Sequence, residues 1–380
     1  MTVPTPNQPP LVSAALTTDS PDRAEDAPID GAALLAAVRD ALTYYVVMPS
    51  EEASNAVVLW IAATHAQPAW EHATRLGITG PSKRCGKSRL LEIIKATAYQ
   101  VLPAVHASTA ALYRSIGSDD PPTVLFDEVD TLFGTKKASE ANEDLRALIN
   151  AGHSRGWPIL RCVGPNQEVQ PFSSFAMVAL AGIGDLPDTI ADRAVNVRMR
   201  RRAPHETVHP FRTRRDTPRL AKLRDQLTTW LRAHLPTLED AEPEMPVEDR
   251  AADTWESLIA VADLAGGPWP EHARLAAKLL TAQAADNDTD TSTATRLLVD
   301  LRTIFDADSQ LYTSTILARL AALETAPWAD RQLSPSDLAA ALRVFEVKPR
   351  DVRENGGPNR KGYRAVDLHD PWSRYLPPLD

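Results

Sequence analysis

At 380 residues, 43% of them hydrophobic, the chain is long enough for about two domains, each with its own core. A net charge of −9 excludes a uniformly basic coat, and the longest apolar stretch, 56–64, is broken well short of the about 20 residues a bilayer helix needs. With no basic-then-apolar start, the expectation is a cytoplasmic chain without membrane contact, and Cys85 and Cys162 are too few for a disulfide framework or a structural zinc site.

Residues 1–30 are rich in Pro, Thr and Asp without periodicity and read as a disordered leader. From Gly31, "GAALLAAVRDALTYYVV" and "SEEASNAVVLWIAATHAQPAW" carry apolar residues at helical spacing, so two helices open the first domain, 31–219. Short apolar runs then alternate with amphipathic ones. Strands are expected at 75–79, 102–106, 123–127, 159–163 and 175–182, and helices at 88–99, 109–116 and 138–151. This is the rhythm of an α/β fold with a largely parallel sheet.

The stretch "GITGPSKRCGKSRLLE" departs by one residue from the usual phosphate-loop spacing: five residues, not four, separate Gly80 from Gly86-Lys87-Ser88. Its setting, a strand ending at Thr79 and a helix starting at Gly86, is the one such a loop requires. Gly80, Pro81, Ser82, Lys83, Arg84, Cys85, Gly86, Lys87, Ser88 and Arg89 are the candidate nucleotide-binding residues. Lys87 is expected to neutralise β and γ oxygens of ATP and the Ser88 hydroxyl to hold Mg²⁺. Cys85 reads either as a small buried thiol or as a point of oxidative inactivation.

In "TVLFDEVDTLF" a β-rich run delivers Asp127 and Glu128 to the carboxyl end of a strand, Asp127 toward the Mg²⁺ shell and Glu128 toward an attacking water. Between 157 and 175 two extended runs flank "GPNQ", which predicts a hairpin. Arg161, Asn166 and Gln167 on it would reach a nucleic-acid backbone, or the hairpin is an ordinary surface feature. In "GIGDLPDTIADRAVNVRMRRR" Arg193 falls at a helix-to-strand corner. In ring-forming ATPases of the AAA+ type that corner sends an arginine into the neighbour's γ-phosphate; the bland alternative pairs Arg193 with Asp188 or Asp192. No Asn or Thr follows the strand at 177–182, so a γ-phosphate sensor is unassigned, with Asp185 the candidate.

From 198 to 224 the charge is strongly basic, with Arg200, Arg201 and Arg202 at its head, which points to a phosphate partner such as DNA or to a solvated connector. A helical region follows at 220–285, then a polar linker, "DNDTDTSTAT", at 286–295. The last part, 296–380, reads as three helices (296–305, 313–323 and 335–345, the last capped by Ser334) and then strand, turn and strand. That is the layout of a winged helix, with Arg350, Arg360 and Lys361 on surfaces such modules lay against DNA. Winged helices also bind proteins.

"LWIAATHAQPAW", "GPSKRCGKSRLLE", "TVLFDEVDTLF", "LINAGHSRGWPILR", "LPDTIADRAVNVRMRRR" and the tail "TAPWADRQLSPSDLAAALRVFEVKPRDVRENGGPNRKGYRAVDLHDPWSRYL" resemble the domain of unknown function 3631 family of actinobacteria, their phages and mobile elements. The resemblance covers roughly residues 35–376 and implies a P-loop ATPase with a C-terminal winged-helix-like module, similar to the helicase parts of phage primase–helicases. No primase catalytic segment is evident in the sequence. Three functions fit: an oligomeric, Mg²⁺-dependent ATPase, with a hexameric ring among the forms expected, that moves on or loads onto DNA; a nucleotide-gated adaptor for a protein partner; and a nucleotide-binding structural protein that does not hydrolyse.

Overall fold

The computed structural model describes residues 29–376, apart from 82, 105–108, 118, 134–141, 164, 292, 307, 324–327, 329–332, 344, 346 and 355; side chains at 286–295, 374 and 375 are also not described. The leader, apart from its last two residues, lies outside this range. The chain forms two compact units, 1–274 and 275–380.

The first unit opens with helices α1 (Gly31–Tyr45) and α2 (Glu51–Ala63). Each has a side-chain cap: Asp30 accepts the Ala33 N–H at 3.0 Å and Ser50 that of Ala53 at 3.1 Å. Such caps contribute about 1 kcal/mol each by satisfying N–H groups the helix cannot. Every residue of α2 from Ala53 to Ala63 is buried, as expected of a helix with apolar residues around most of its circumference.

Five parallel strands follow: β1 (Arg75–Thr79), β2 (Val101–Pro103), β3 (Thr123–Phe126), β6 (Val178–Ala181) and β7 (Ala194–Arg198), lying side by side in the order β2-β3-β6-β1-β7. Burial explains their composition. The three central strands β3, β6 and β1 are buried at every residue, so β3 and β6 read as largely apolar runs and β1 carries its buried Arg75 and Thr79 at its two ends, whereas edge strand β7 alternates. β1 turns into α3 (Lys87–Thr97), whose Leu90, Ile93 and Ile94 are fully buried. A separate antiparallel pair, β4 (Ile159–Val163) and β5 (Glu168–Phe172), is the predicted hairpin; it pairs with itself and not with the parallel sheet.

Long-range contacts tie the helical region to the first helix and to the start of β1. The Trp230 ring, on helix Thr213–Ala233, lies so close that a Cβ on Gly31 would be 2.3 Å from it, and Thr74 Oγ1 donates to the Thr254 carbonyl at 2.8 Å. These contacts join residues far apart in sequence, which periodicity cannot register. The polar stretch 286–295 is helical too, within Trp269–Thr291 and again from Thr293, because Asp, Asn and Thr inside a long helix cost only tenths of a kcal/mol each, about 0.7 at most.

The second unit runs helix (Thr293–Phe305), strand β8 (Gln310–Tyr312), helix (Thr313–Ala321), helix (Pro335–Arg343), strand β9 (Arg350–Val352), strand β10 (Arg360–Arg364) and helix (Ala365–Tyr375). Its strands form an antiparallel sheet in the order β8-β10-β9 around a core that includes Leu301, Phe305, Leu338, Leu342 and Tyr363. Ser334 and Asp337 cap each other: Asp337 N–H donates to Ser334 Oγ at 3.2 Å and Ser334 N–H to Asp337 Oδ2 at 3.0 Å. β8 and the final helix are additions to the sequence reading. No helix among the described residues is long and apolar enough to cross a membrane.

Candidate functional site

The carboxyl edge of the parallel sheet gathers the first set of predicted residues. Past Thr79 the chain enters the loop 80–86, and Gly80 is tied across to Gly184, whose N–H donates to the Gly80 carbonyl at 3.1 Å. A Cβ at Gly80 would lie 2.9 Å from the Met199 carbonyl oxygen and 3.6 Å from Lys87 Nζ. Glycine is therefore required there, and the Lys87 ammonium folds back over the loop it follows. Lys87 is only 9% exposed, although it is the first residue of α3.

Two residues of the loop, Arg84 (φ +66°) and Gly86 (φ +87°), adopt left-handed backbone, which bends the chain sharply into the helix. No side chain caps α3, and its first intrahelical bond is Leu90 N–H to the Gly86 carbonyl at 2.9 Å. The N–H groups of Lys87, Ser88 and Arg89 thus head the helix without intrahelical acceptors, the arrangement that attracts an anion. Ser88, Pro81, Lys83 and Arg84 are exposed, and Cys85 is buried. Arg89 turns sideways to pair with Glu92 and to lie over the Phe211 ring, 5.1 Å from its centroid. Ser82 lies outside the described residues.

Asp127 and Glu128 follow β3 at the same edge. In register, Phe126 sits level with Leu180 and Leu180 with Gly77, so the two carboxylates are level with the end of β1, two strand spacings or about 10 Å away. Both are exposed. Glu128 has φ +56°, a conformation non-glycine residues seldom adopt, held by the Thr131 N–H (2.9 Å) and hydroxyl (2.8 Å) donating to its carbonyl. The Asp127 carboxylate accepts the Glu128 N–H at 2.9 Å.

Sequence reasoning missed the residues that hold this edge together. Asp130 Oδ1 accepts the Ile183 N–H at 2.9 Å, and a Cβ on Gly182 would come within 2.6 Å of Val129 Cγ2. The strand between the two halves of the site is thereby fixed to the helix that follows the carboxylates. The signal was present as an Asp three residues after Asp127 and as the glycines of "GIG". Asp185, beside them, is exposed.

Arg193 lies at the opposite edge. Its carbonyl accepts the Arg75 N–H at 3.1 Å, and Ala194 pairs with Arg75, the first residue of β1. Its guanidinium donates to the Thr189 carbonyl at 2.6 Å, while Asp192 is taken by Arg250 at 2.7 Å. Arg193 makes no ion pair among the described residues, although the neighbouring Asp192 still attracts its charge. Burial, then the nearby Arg250, lowers the Arg193 pKa.

The expected nucleic-acid residues are partly self-neutralised. Arg161 turns toward Asp144 (3.7 Å) and the Tyr113 ring, leaving Leu160 and Val169 exposed on the hairpin instead. Asn166 and Gln167 are exposed at its turn. Arg200 makes a two-pronged pair with Glu206 (2.6 and 3.1 Å), whose carboxyl it holds below the usual range. Arg201 and Arg202 are exposed. Further along the basic stretch, Arg215 is committed to buried Asp216, a carboxylate that, after burial itself, helps push the Tyr45 hydroxyl up to about 12. In the second unit Arg350 pairs with Asp367 (2.9 Å) and Lys361 with Asp351 (3.0 Å), while Arg360 lies over the Tyr312 ring.

Comparison with known proteins bears most on the C-terminal half. The family model described as "Protein of unknown function (DUF3631)" matches residues 198–375. An uncharacterized 28.9 kDa protein in the xis 5′ region of Saccharopolyspora erythraea is 50% identical over 182 residues, 47% of this chain and 69% of that protein. Among solved structures, an apo form of the NrS-1 C-terminal region aligns over 92% of this chain and 79% of its own with 10% identity and a TM-score of 0.42. A second structure of that region gives 9% identity and 0.39 over 90% and 77%. With 50% identity over an alignment that covers 69% of the Saccharopolyspora protein, and with the family model matched at residues 198–375, the chain belongs to the family of proteins of unknown function DUF3631.

Proposed function

We propose that the chain is a Mg²⁺-dependent ATPase of P-loop, AAA+-like type that acts on DNA as an oligomeric translocase, helicase or loader. One observation carries this reading: an uncapped helix start, reached through two left-handed residues, with the Lys87 ammonium folded over Gly80 and Asp127-Glu128 at the same sheet edge. The residues fit a nucleoside triphosphate. A Cβ at Gly80 would fill space at the loop, and the N–H groups of α3 face outward as donors for phosphate oxygens.

Ser88 and Asp127 would hold Mg²⁺, which when bound supplies charge neutralisation at the β and γ oxygens. Lys87 binds the same oxygens as a fixed point charge, its position set by the first turn of α3. Glu128, exposed at the strand end, orients the attacking water and takes its proton. Arg193 lies too far from its own loop to take part there, which accords with its service as a finger to a neighbouring copy. The basic residues after β7 and those of the second unit, which this reading takes as a winged helix, are the DNA contacts.

A second reading is favoured by the pairing of Arg350 with Asp367 and Lys361 with Asp351: charges already neutralised suit a protein-binding surface better than a phosphate backbone. Isothermal titration of ATP with Mg²⁺ into the unaltered chain and into Lys87→Ala tests the nucleotide site shared by both readings. Binding that Lys87→Ala weakens at least about tenfold supports it, and equal affinities overturn it. DNA stimulation of turnover separates the two.

A further inference from the structure

At the amino-terminal edge of the parallel sheet, Arg193 and Arg250 stand side by side. Arg250 lies in the first turn of helix Asp249–Ala265, which is pinned to the start of β1 by the Thr74 hydroxyl on the Thr254 carbonyl (2.8 Å). Among the described residues the acid that pairs with either guanidinium is Asp192, which Arg250 takes at 2.7 Å. Arg193 is left with a backbone carbonyl, Thr189 O at 2.6 Å. Two cations with one carboxylate form a half-exposed anion site, because the second guanidinium has unspent donors and a like charge beside it.

The chain's own phosphate-loop candidate does not supply the anion. Arg193 is level with the start of β1 and the loop begins after its end, a separation of about 20 Å along the strand direction. We propose that Arg250 is a second catalytic cation, acting with Arg193 on the terminal phosphate of a nucleotide held by the 80–88 loop of a second copy of this chain, with Asp192 aiming it. The proposal rests on the ATPase reading and adds to it a residue from the helical region. A terminal phosphate offers three oxygens, enough for both guanidiniums, and the charge that develops there in hydrolysis is what a paired cation site stabilises.

Subunit mixing tests it. Arg250→Ala alone is expected to hydrolyse ATP at least about tenfold more slowly than the unaltered chain, with unchanged oligomer size and urea midpoint, and Arg250→Lys to recover part of the loss. Mixed with Lys87→Ala, which lacks the loop lysine but keeps Arg250, it should regain turnover above either variant alone, because the intact loop and intact cation then meet across an interface. Turnover of Arg250→Ala within about twofold of the unaltered chain, or no gain on mixing, overturns the proposal. If Arg193→Ala loses activity while Arg250→Ala does not, the ATPase reading stands and the second cation falls. An unaltered chain that does not hydrolyse ATP removes both.

Discussion

The Asp130 carboxylate accepts the backbone N–H of Ile183 at 2.9 Å, so the helix that starts beside Glu128 is fastened to the strand running between it and the loop at Gly80. One side chain thus sets the spacing between two halves of the site that are more than forty residues apart in sequence. Asp130→Ala leaves a part-buried N–H without its acceptor and should cost about 1–3 kcal/mol. Urea unfolding would read that loss, and ATP turnover in the still-folded variant should fall further than in a surface control such as Asp40→Ala, an exposed position within α1. Unchanged stability would show that the bond does not hold the edge.

Gly80→Ala examines the loop by shape alone. The new methyl would sit 2.9 Å from the Met199 carbonyl, a backbone atom that cannot swing aside, and 3.6 Å from Lys87 Nζ. The expected result is a folded protein destabilised by about 1–3 kcal/mol with weakened ATP binding by calorimetry. Gly184→Ala makes a useful contrast. Nothing lies within 4 Å of a Cβ there, but φ is +79°, so its cost is conformational and smaller, about 1 kcal/mol.

Acid should unfold the first unit through its buried histidines. His65 is fully buried, its Nε2–H donating to the Thr97 carbonyl at 2.9 Å, and burial lowers its pKa to about 4; burial, then Arg75, lowers that of His153 to about 3. Each lies below the unfolded value near 6.5, so the unfolded chain binds the extra proton. Their contribution is present above about pH 6.5 and lost as pH falls toward 4 and 3. His72 runs the other way: the Glu256 carboxylate 3.8 Å from its Nδ1 raises its pKa, so its contribution is present below about 6.5 and lost as pH rises through the folded value. Unfolding free energies of His65→Gln at pH 7 and pH 5 should differ by roughly 1–2 kcal/mol less than those of the unaltered chain. Equal pH slopes would remove His65 from the account.

Much of this architecture was legible because burial writes itself into composition. β3 and β6, covered on both faces, are short and largely apolar, and β1 and the hairpin strand β4 fall at the residues the sequence indicated. The edge carboxylates and Lys87 were legible because a strand end or a helix start is a local feature. Trp230 against Gly31 was not, nor Arg250 beside Arg193, since neither contact has a local signature and each depends on a helix returning to the sheet. The charge of the 198–224 stretch was visible, whereas its partial neutralisation through Glu206 and Asp216 was not. Counting charges along a chain does not reveal which of them bond each other.

That neutralisation sets an order among the basic residues of the second unit. Arg353 is exposed with no ion pair among the described residues, and Arg360 lies exposed over Tyr312. Arg353→Ala with Arg360→Ala should weaken DNA binding and reduce the slope of log affinity against log salt by about 1–2. Arg350→Ala, which leaves Asp367 to Arg364 at 3.1 Å, should act less on affinity, because the Arg350 charge is already countered. A larger effect from Arg350 than from the exposed pair would reverse this ranking.

The most direct test of the central claim is ATP hydrolysis by the purified protein, with and without single- and double-stranded DNA, beside Lys87→Ala and Glu128→Gln. The account predicts Mg²⁺-dependent turnover that DNA stimulates and that both substitutions reduce at least about a hundredfold. Turnover indifferent to DNA would contradict action on DNA and favour the protein-binding reading. No turnover in any oligomeric state, or turnover that survives loss of Lys87 and Glu128, would contradict the site itself.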